Sequence, residues 1–166
     1  MHSGMKLKST SSQSGFTMLE SLVTLLILTI GVLGVAGLQM QGMRSGGMAL
    51  QRTIVVMKTQ EIIERMRINR GKNGSNLVNY SAGVAASGGC NSGTVCTAAA
   101  QAAHDLFSWQ QDLTAMLPAP APVTTITAAA GPDKDSPYVV TVTVNWNASN
   151  GSGTALALTY NVNAQI

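Results

Sequence analysis

The polar and apolar positions change period twice along this chain. Between Glu20 and Arg44 lie 23 residues without a charge, residues 21–43, rich in Leu, Ile, Val and Gly. As a helix that run reaches about 35 Å, enough to cross a hydrocarbon core of about 30 Å. From Gln39 to Arg70 apolar residues recur at helical steps: Met43, Leu50, Ile54, Met57, Ile62 and Met66, with Val55 and Ile63 widening the stripe. No proline interrupts before Pro118, so both stretches read as one helix from Phe16 to about Arg70. Its first half is apolar all round, and its second half has one face that the rest of the chain must cover. Asn73, Gly74 and Ser75 end it, with Arg65, Arg67, Arg70 and Lys72 where cations favour the negative end of a helix dipole.

A second helical pattern runs over 97–117, with Leu106, Trp109, Leu113 and Met116 on one face and Pro118 as the stop. Ala119-Pro120-Ala121-Pro122 reads as a stiff extended connector. The period then becomes two. Tyr138, Val140, Val142, Val144 and Trp146 alternate mainly with polar residues, as do Leu156, Leu158, Tyr160 and Val162, and Val123–Ala128 supplies a third strand. A two-residue turn at Asn150-Gly151 would set the two apolar faces on opposite sides of the sheet. An odd-length connection, with Trp146 opposite Leu156 or Thr154, restores agreement. The expected fold class is α+β: a long N-terminal helix packed against a small antiparallel sheet over 123–164, with a second short helix. The parts are a leader at 1–15, a transmembrane helix at 16–40, its amphipathic half at 41–72, and a globular part at 73–166.

Charge adds little to orientation. The chain carries +3 overall. Lys6 and Lys8 precede the apolar run and Arg44, Arg52 and Lys58 follow it, so the positive-inside rule is nearly balanced. Residues 44–72 are cationic and 73–166 are net acidic, a pattern suited to packing between copies or partners. Cys90 and Cys96 lie in a Gly/Ser/Ala/Asn-rich stretch from Leu77 onward that reads as a loop. An even pair beyond an export signal reads most simply as one disulfide; a solitary C-x5-C with only His2 and His104 elsewhere lacks the four ligands of a structural zinc site. No catalytic or cofactor constellation emerges: His104 and Asp105 are adjacent on one helix and point apart, and no phosphate loop or paired carboxylates occur. The basic residues lack interleaved aromatics, which disfavours a nucleic-acid interface.

The N-terminus admits three readings. An ordinary secretory signal peptide cut near Ala36 would be entered by a glutamate where basic residues belong. A plain signal anchor leaves Gly15-Phe16 and Glu20 unexplained. Ser14-Gly15-Phe16-Thr17-Met18-Leu19-Glu20 closely resembles the type III signal of type IV prepilins and pseudopilins. That resemblance implies cleavage after Gly15 by a prepilin peptidase, N-methylation of Phe16, and an assembly role for Glu20. The glutamate would be fifth from the new terminus, where it would meet the amine of a neighbouring subunit. Asp105, Trp109, Leu113 and Leu117-Pro118, followed by Val142-Thr143-Val144-Asn145-Trp146, further resemble the PilV-type minor pilins, the type IV pilus modification group. This implies a single-pass protein of the bacterial inner membrane with a periplasmic globular part, later at the pilus and cell surface. Other minor pilins, the major pilin, the pilus assembly machinery and a tip adhesin are the implied partners. A minor pseudopilin of a type II secretion system and a DNA- or surface-binding tip module are the alternatives.

Overall fold

The computed structural model describes residues 17–83, 89–90, 95–131, 137–149 and 155–166. Helix α1 spans Met18–Ile68, helix α2 Ala98–Met116, and strands β1, β2 and β3 span Val123–Ala129, Val139–Ser149 and Ala155–Gln165. The fold is α+β, with a long N-terminal helix, a second helix and one three-stranded antiparallel sheet in the order β1-β2-β3. Two compact units divide the chain, Met1–Gly42 and Met43–Ile166.

In the first unit α1 exposes its apolar side chains on every side, and it is the one described helix long and apolar enough to cross a membrane. It stays helical through Gly31, Gly34 and Gly37. Within the second unit the same helix buries Val55, Thr59, Ile62, Ile63 and Met66. Those residues follow steps of four, three, one and three, a stripe aligned with the helix axis. Met43, Leu50 and Met57 of the expected stripe are exposed, and this corrects the sequence reading. Met57 lies about 200° around the helix from Val55, at 100° per residue, and so faces away from the core.

Helix α2 is capped by Thr97, whose hydroxyl accepts from the Ala100 N–H at 3.2 Å. It buries Ala102, Asp105, Leu106, Trp109 and Leu113. Met116 is half-exposed, contrary to expectation, and the buried position at that end belongs to Leu117. The connector is also different from a stiff rod: the backbone bends at Leu117, Ala119 and Pro120, and the Ala119–Pro120 peptide is cis.

The stretch read as a loop begins as a 3₁₀ helix, Leu77–Ala82, that inserts Leu77 and Tyr80 into the core. It is reached through Gly71 and Gly74, both at positive φ. A Cβ on Gly74 would sit 2.3 Å from Cδ2 of the Tyr138 ring, so glycine is required there by both conformation and space. Cys90 and Cys96 form a disulfide with Cα atoms 5.8 Å apart.

Strand β2 is the centre of the sheet, and Val140, Val142, Val144, Trp146 and Ala148 form its buried face. Trp146 pairs with Leu158, two residues further along β3 than Leu156. Ser149 pairs with Ala155, so five residues separate the paired ends. That odd length keeps both apolar faces on one side, while Asn150-Gly151 itself lies outside the described residues. Tyr80, Leu106, Trp109, Leu113, Ile126, Val142 and Trp146 belong with the buried α1 stripe to one hydrophobic cluster.

Candidate assembly site

Along α1 two different chemistries succeed one another. At the start Thr17 precedes the first helical residue, and its hydroxyl and carbonyl both accept from the Glu20 N–H, at 3.4 and 3.0 Å. Ser21 N–H also reaches the Thr17 carbonyl, at 3.3 Å. Thr17 is therefore the N-cap, and Glu20 occupies the third helical position, where a carboxylate is favoured by the exposed N–H groups of the first turn. Thr-x-x-Glu is a capping-box spacing, a signal present in the sequence that the reading of Glu20 as an assembly residue passed over. Among the described residues the Glu20 carboxylate has no ion-pair partner. It stands immediately before residues 21–43, which carry no charge. Gly15 and Phe16, the expected cleavage and methylation positions, lie outside the described residues.

Within the apolar run, Ile27, Leu28, Gly31, Val32, Val35, Ala36 and Gln39 line a shallow groove along α1. Gly31 would meet nothing within 4 Å if it carried a Cβ, so its missing side chain opens the surface instead of relieving a clash. Such a notch permits close approach of another helix in a bilayer.

At the other end α1 is tied to α2 by polar contacts over buried apolar ones. The Trp109 indole N–H donates to the Lys58 carbonyl at 2.7 Å. Lys58 Nζ bridges Glu61 at 2.8 Å and Asp112 at 2.7 Å. Arg65 reaches the Ser108 hydroxyl at 2.7 Å and Asp105 at 3.8 Å, and it also pairs with Glu61. Asp105, almost wholly buried, is satisfied by the Tyr80 hydroxyl at 2.7 Å and the Gln101 amide at 3.0 Å. Asn69 donates to the Ala98 carbonyl and the Tyr80 oxygen. These partners explain the titration behaviour. Hydrogen bonds that Lys58 donates to Asp112, then to Glu61, hold it above its ordinary value, and Lys58 in turn holds Glu61 below the usual carboxylate range. Burial pushes the Tyr80 phenol well up, in the same direction as its bond to Asp105.

Of the four cations that the sequence offers as a dipole complement, Arg65 and Arg67 are ion-paired within the chain, as is Lys58 further back along α1. Lys58–Asp112 and Arg65–Asp105 use part of the charge asymmetry inside one molecule. His104 is half-buried on α2, away from any described cluster of potential ligands; among the described residues no group of three His, Cys, Asp or Glu could hold a metal. Asp105, Trp109, Leu113 and Leu117, with Val142, Val144 and Trp146, are all buried. The C-terminal pattern therefore consists largely of core positions.

Residues 10–36 match the family model of the prokaryotic N-terminal methylation motif, and residues 37–107 match that of type IV pilin Tt1218. No curated protein and no solved structure matches the chain. The two matched segments adjoin within α1, so a type IV pilin segment follows directly on a methylation motif.

Proposed function

We propose that this chain is a minor pilin of the PilV type. It is cut after Gly15 by a prepilin peptidase and N-methylated on Phe16. It then joins other minor pilins and the major pilin in a complex that primes or caps a type IV pilus. A single observation carries the reading: the Gly15-Phe16…Glu20 signal leads straight into a capped helix whose first 25 described helical residues, 18–42, belong to a different compact unit from the folded part. A helix built this way has apolar side chains left over for lipid and for other subunits, while the second unit carries its own core. The protein acts structurally and without a cofactor. Its globular part lies on the periplasmic side of the inner membrane before incorporation.

Intact-mass measurement of the protein recovered from membranes and from sheared pili tests this reading. The expected mass corresponds to residues 16–166 with one added methyl group, and Gly15→Val should leave the full-length precursor in the membrane. A mature chain starting near Gly37 would identify an ordinary signal peptide and overturn the proposal.

A further inference from the structure

Both tryptophans of the chain sit in the core, but they are finished differently. The Trp109 indole N–H donates to the Lys58 carbonyl at 2.7 Å. Trp146 is 4% exposed, and its Nε1 is sealed from water with no hydrogen-bond partner among the described residues. A buried N–H in that state has given up its bond to water and gained none in return, so native cores seldom keep one. The cations of α1 divide in the same way. Lys58, Arg65 and Arg67 are ion-paired, while Arg52 has neither an ion pair nor a hydrogen bond among the described residues.

The two unpaired donors border one cleft. Met48, Ala49 and Arg52 of α1 with Trp146, Leu158 and Thr159 of the sheet line a space of about 350 Å³, toward the lower end of the roughly 300–1,000 Å³ usual for ligand pockets. No acidic residue is among those that line it, so the guanidinium meets no counter-charge there. A neighbouring cleft of about 290 Å³ also touches Trp146, but its described lining carries no charge. Mostly apolar walls with one cation and one unpaired N–H suit an apolar body that ends in a singly negative, acceptor-only head. Size narrows the choice. At about 30 Å³ per water-sized group the cleft holds roughly ten such groups, too few for a two-chain phospholipid. An Asp or Glu side chain from another protein has only one or two methylenes and would leave most of the apolar wall uncovered. The occupant is therefore a small molecule.

We propose that this cleft binds a monocarboxylate carrying an unbranched aliphatic chain of about eight carbons. Its head accepts from the Arg52 guanidinium, whose parallel N–H groups match the two carboxylate oxygens. The Trp146 indole turns its N–H out of the sealed position toward the same head. The chain lies against Met48, Ala49 and Leu158. A neutral molecule of the same length leaves Arg52 without a counter-charge, and a bare carboxylate leaves the apolar wall to water.

The full chain in phosphatidylcholine nanodiscs, isotopically labelled at tryptophan nitrogen and titrated with octanoate, tests the proposal by magnetic resonance. Trp146→Phe assigns the two indole N–H signals. Saturable movement of the Trp146 signal is expected, with the Trp109 signal fixed. Arg52→Gln should weaken binding about tenfold and Arg52→Lys by less. Butanoate, four methylenes shorter, should bind at least about tenfold more weakly, and octanol and acetate should leave the Trp146 signal in place. An equal response of Arg52→Gln, an equal response to octanol, or movement of both indole signals together contradicts the proposal. Movement that never saturates marks partition into the bilayer and contradicts it as well. Tighter binding of octyl phosphate would replace the carboxylate by a phosphate head and overturn the choice of ligand.

Discussion

Residues 18–42 and 43–68 form one uninterrupted helix, yet they belong to separate compact units and solve opposite problems. The first stretch offers apolar side chains to its surroundings in all directions. The second commits one narrow stripe, Val55 to Met66, to the core of its own chain and clasps α2 with Lys58 and Arg65. The lesson is that helical continuity does not imply shared energetics. On the proposed function, substitutions in residues 18–42 are expected to act on association, and substitutions in the buried stripe or its partners on folding.

The largest expected effect breaks the folded half. Trp109 is fully buried and donates to the Lys58 carbonyl, so Trp109→Ala creates a cavity and orphans an acceptor. It should cost about 3–5 kcal/mol in denaturant unfolding of the full chain in detergent. Leu28→Ala, at an exposed position in the other half, should change the same measurement by less than about 0.5 kcal/mol. Equal costs would erase the distinction between the two stretches.

Gly74 gives a smaller effect on the same side. Its positive φ and the Tyr138 ring leave no room for a side chain, and Gly74→Val should cost about 1–3 kcal/mol in unfolding. An unchanged midpoint would show that the turn after α1 does not hold its observed conformation.

The elements were legible in the sequence because periods of 3.6 and 2 are long and clean in this chain. The buried face of α1 was not. Apolar residues occur on several sides of 43–66, and which of them meets α2 depends on where Trp109 and Leu113 arrive from a segment some 50 residues away. Leu77 and Tyr80 were hidden for a related reason: Leu77, Val78 and Tyr80 among Gly, Ser and Asn are too short a run to show a period, and only the core that receives Leu77 and Tyr80 makes them structural. Buried Asp105 was equally opaque, since its satisfaction comes from Tyr80, Gln101 and Arg65 on three separate elements. At the candidate site the signal itself was readable at Gly15, Phe16 and Glu20. The Thr17 cap was also readable, from the Thr-x-x-Glu spacing.

The polar clasp predicts a weaker, pH-dependent effect. Tyr80 and Lys58 both hold their protons more tightly when folded than at their ordinary values of 10.0 and 10.5. Their contribution is complete below about pH 10 and is lost as pH rises further, because the unfolded chain releases its protons first. Glu61 is shifted down from 4.5, so its contribution is complete above that value and is lost as pH falls through its lower folded value. Thermal unfolding should therefore weaken at both extremes, and Tyr80→Phe should flatten the alkaline limb. An alkaline limb unchanged by Tyr80→Phe would remove the phenol from this account.

Recovery of other pilins with full-length Glu20→Ala, measured beside its cleavage and its unfolding, tests the central claim most directly. A carboxylate set before a charge-free membrane run is worth most when a neighbouring subunit supplies the opposite charge in a low-dielectric setting. The expected result is normal cleavage after Gly15 and unchanged unfolding of the folded unit, with reduced co-purification of other pilins and fewer surface pili. Normal piliation and normal partner recovery by the variant would contradict the account and leave Glu20 as a helix-capping residue alone.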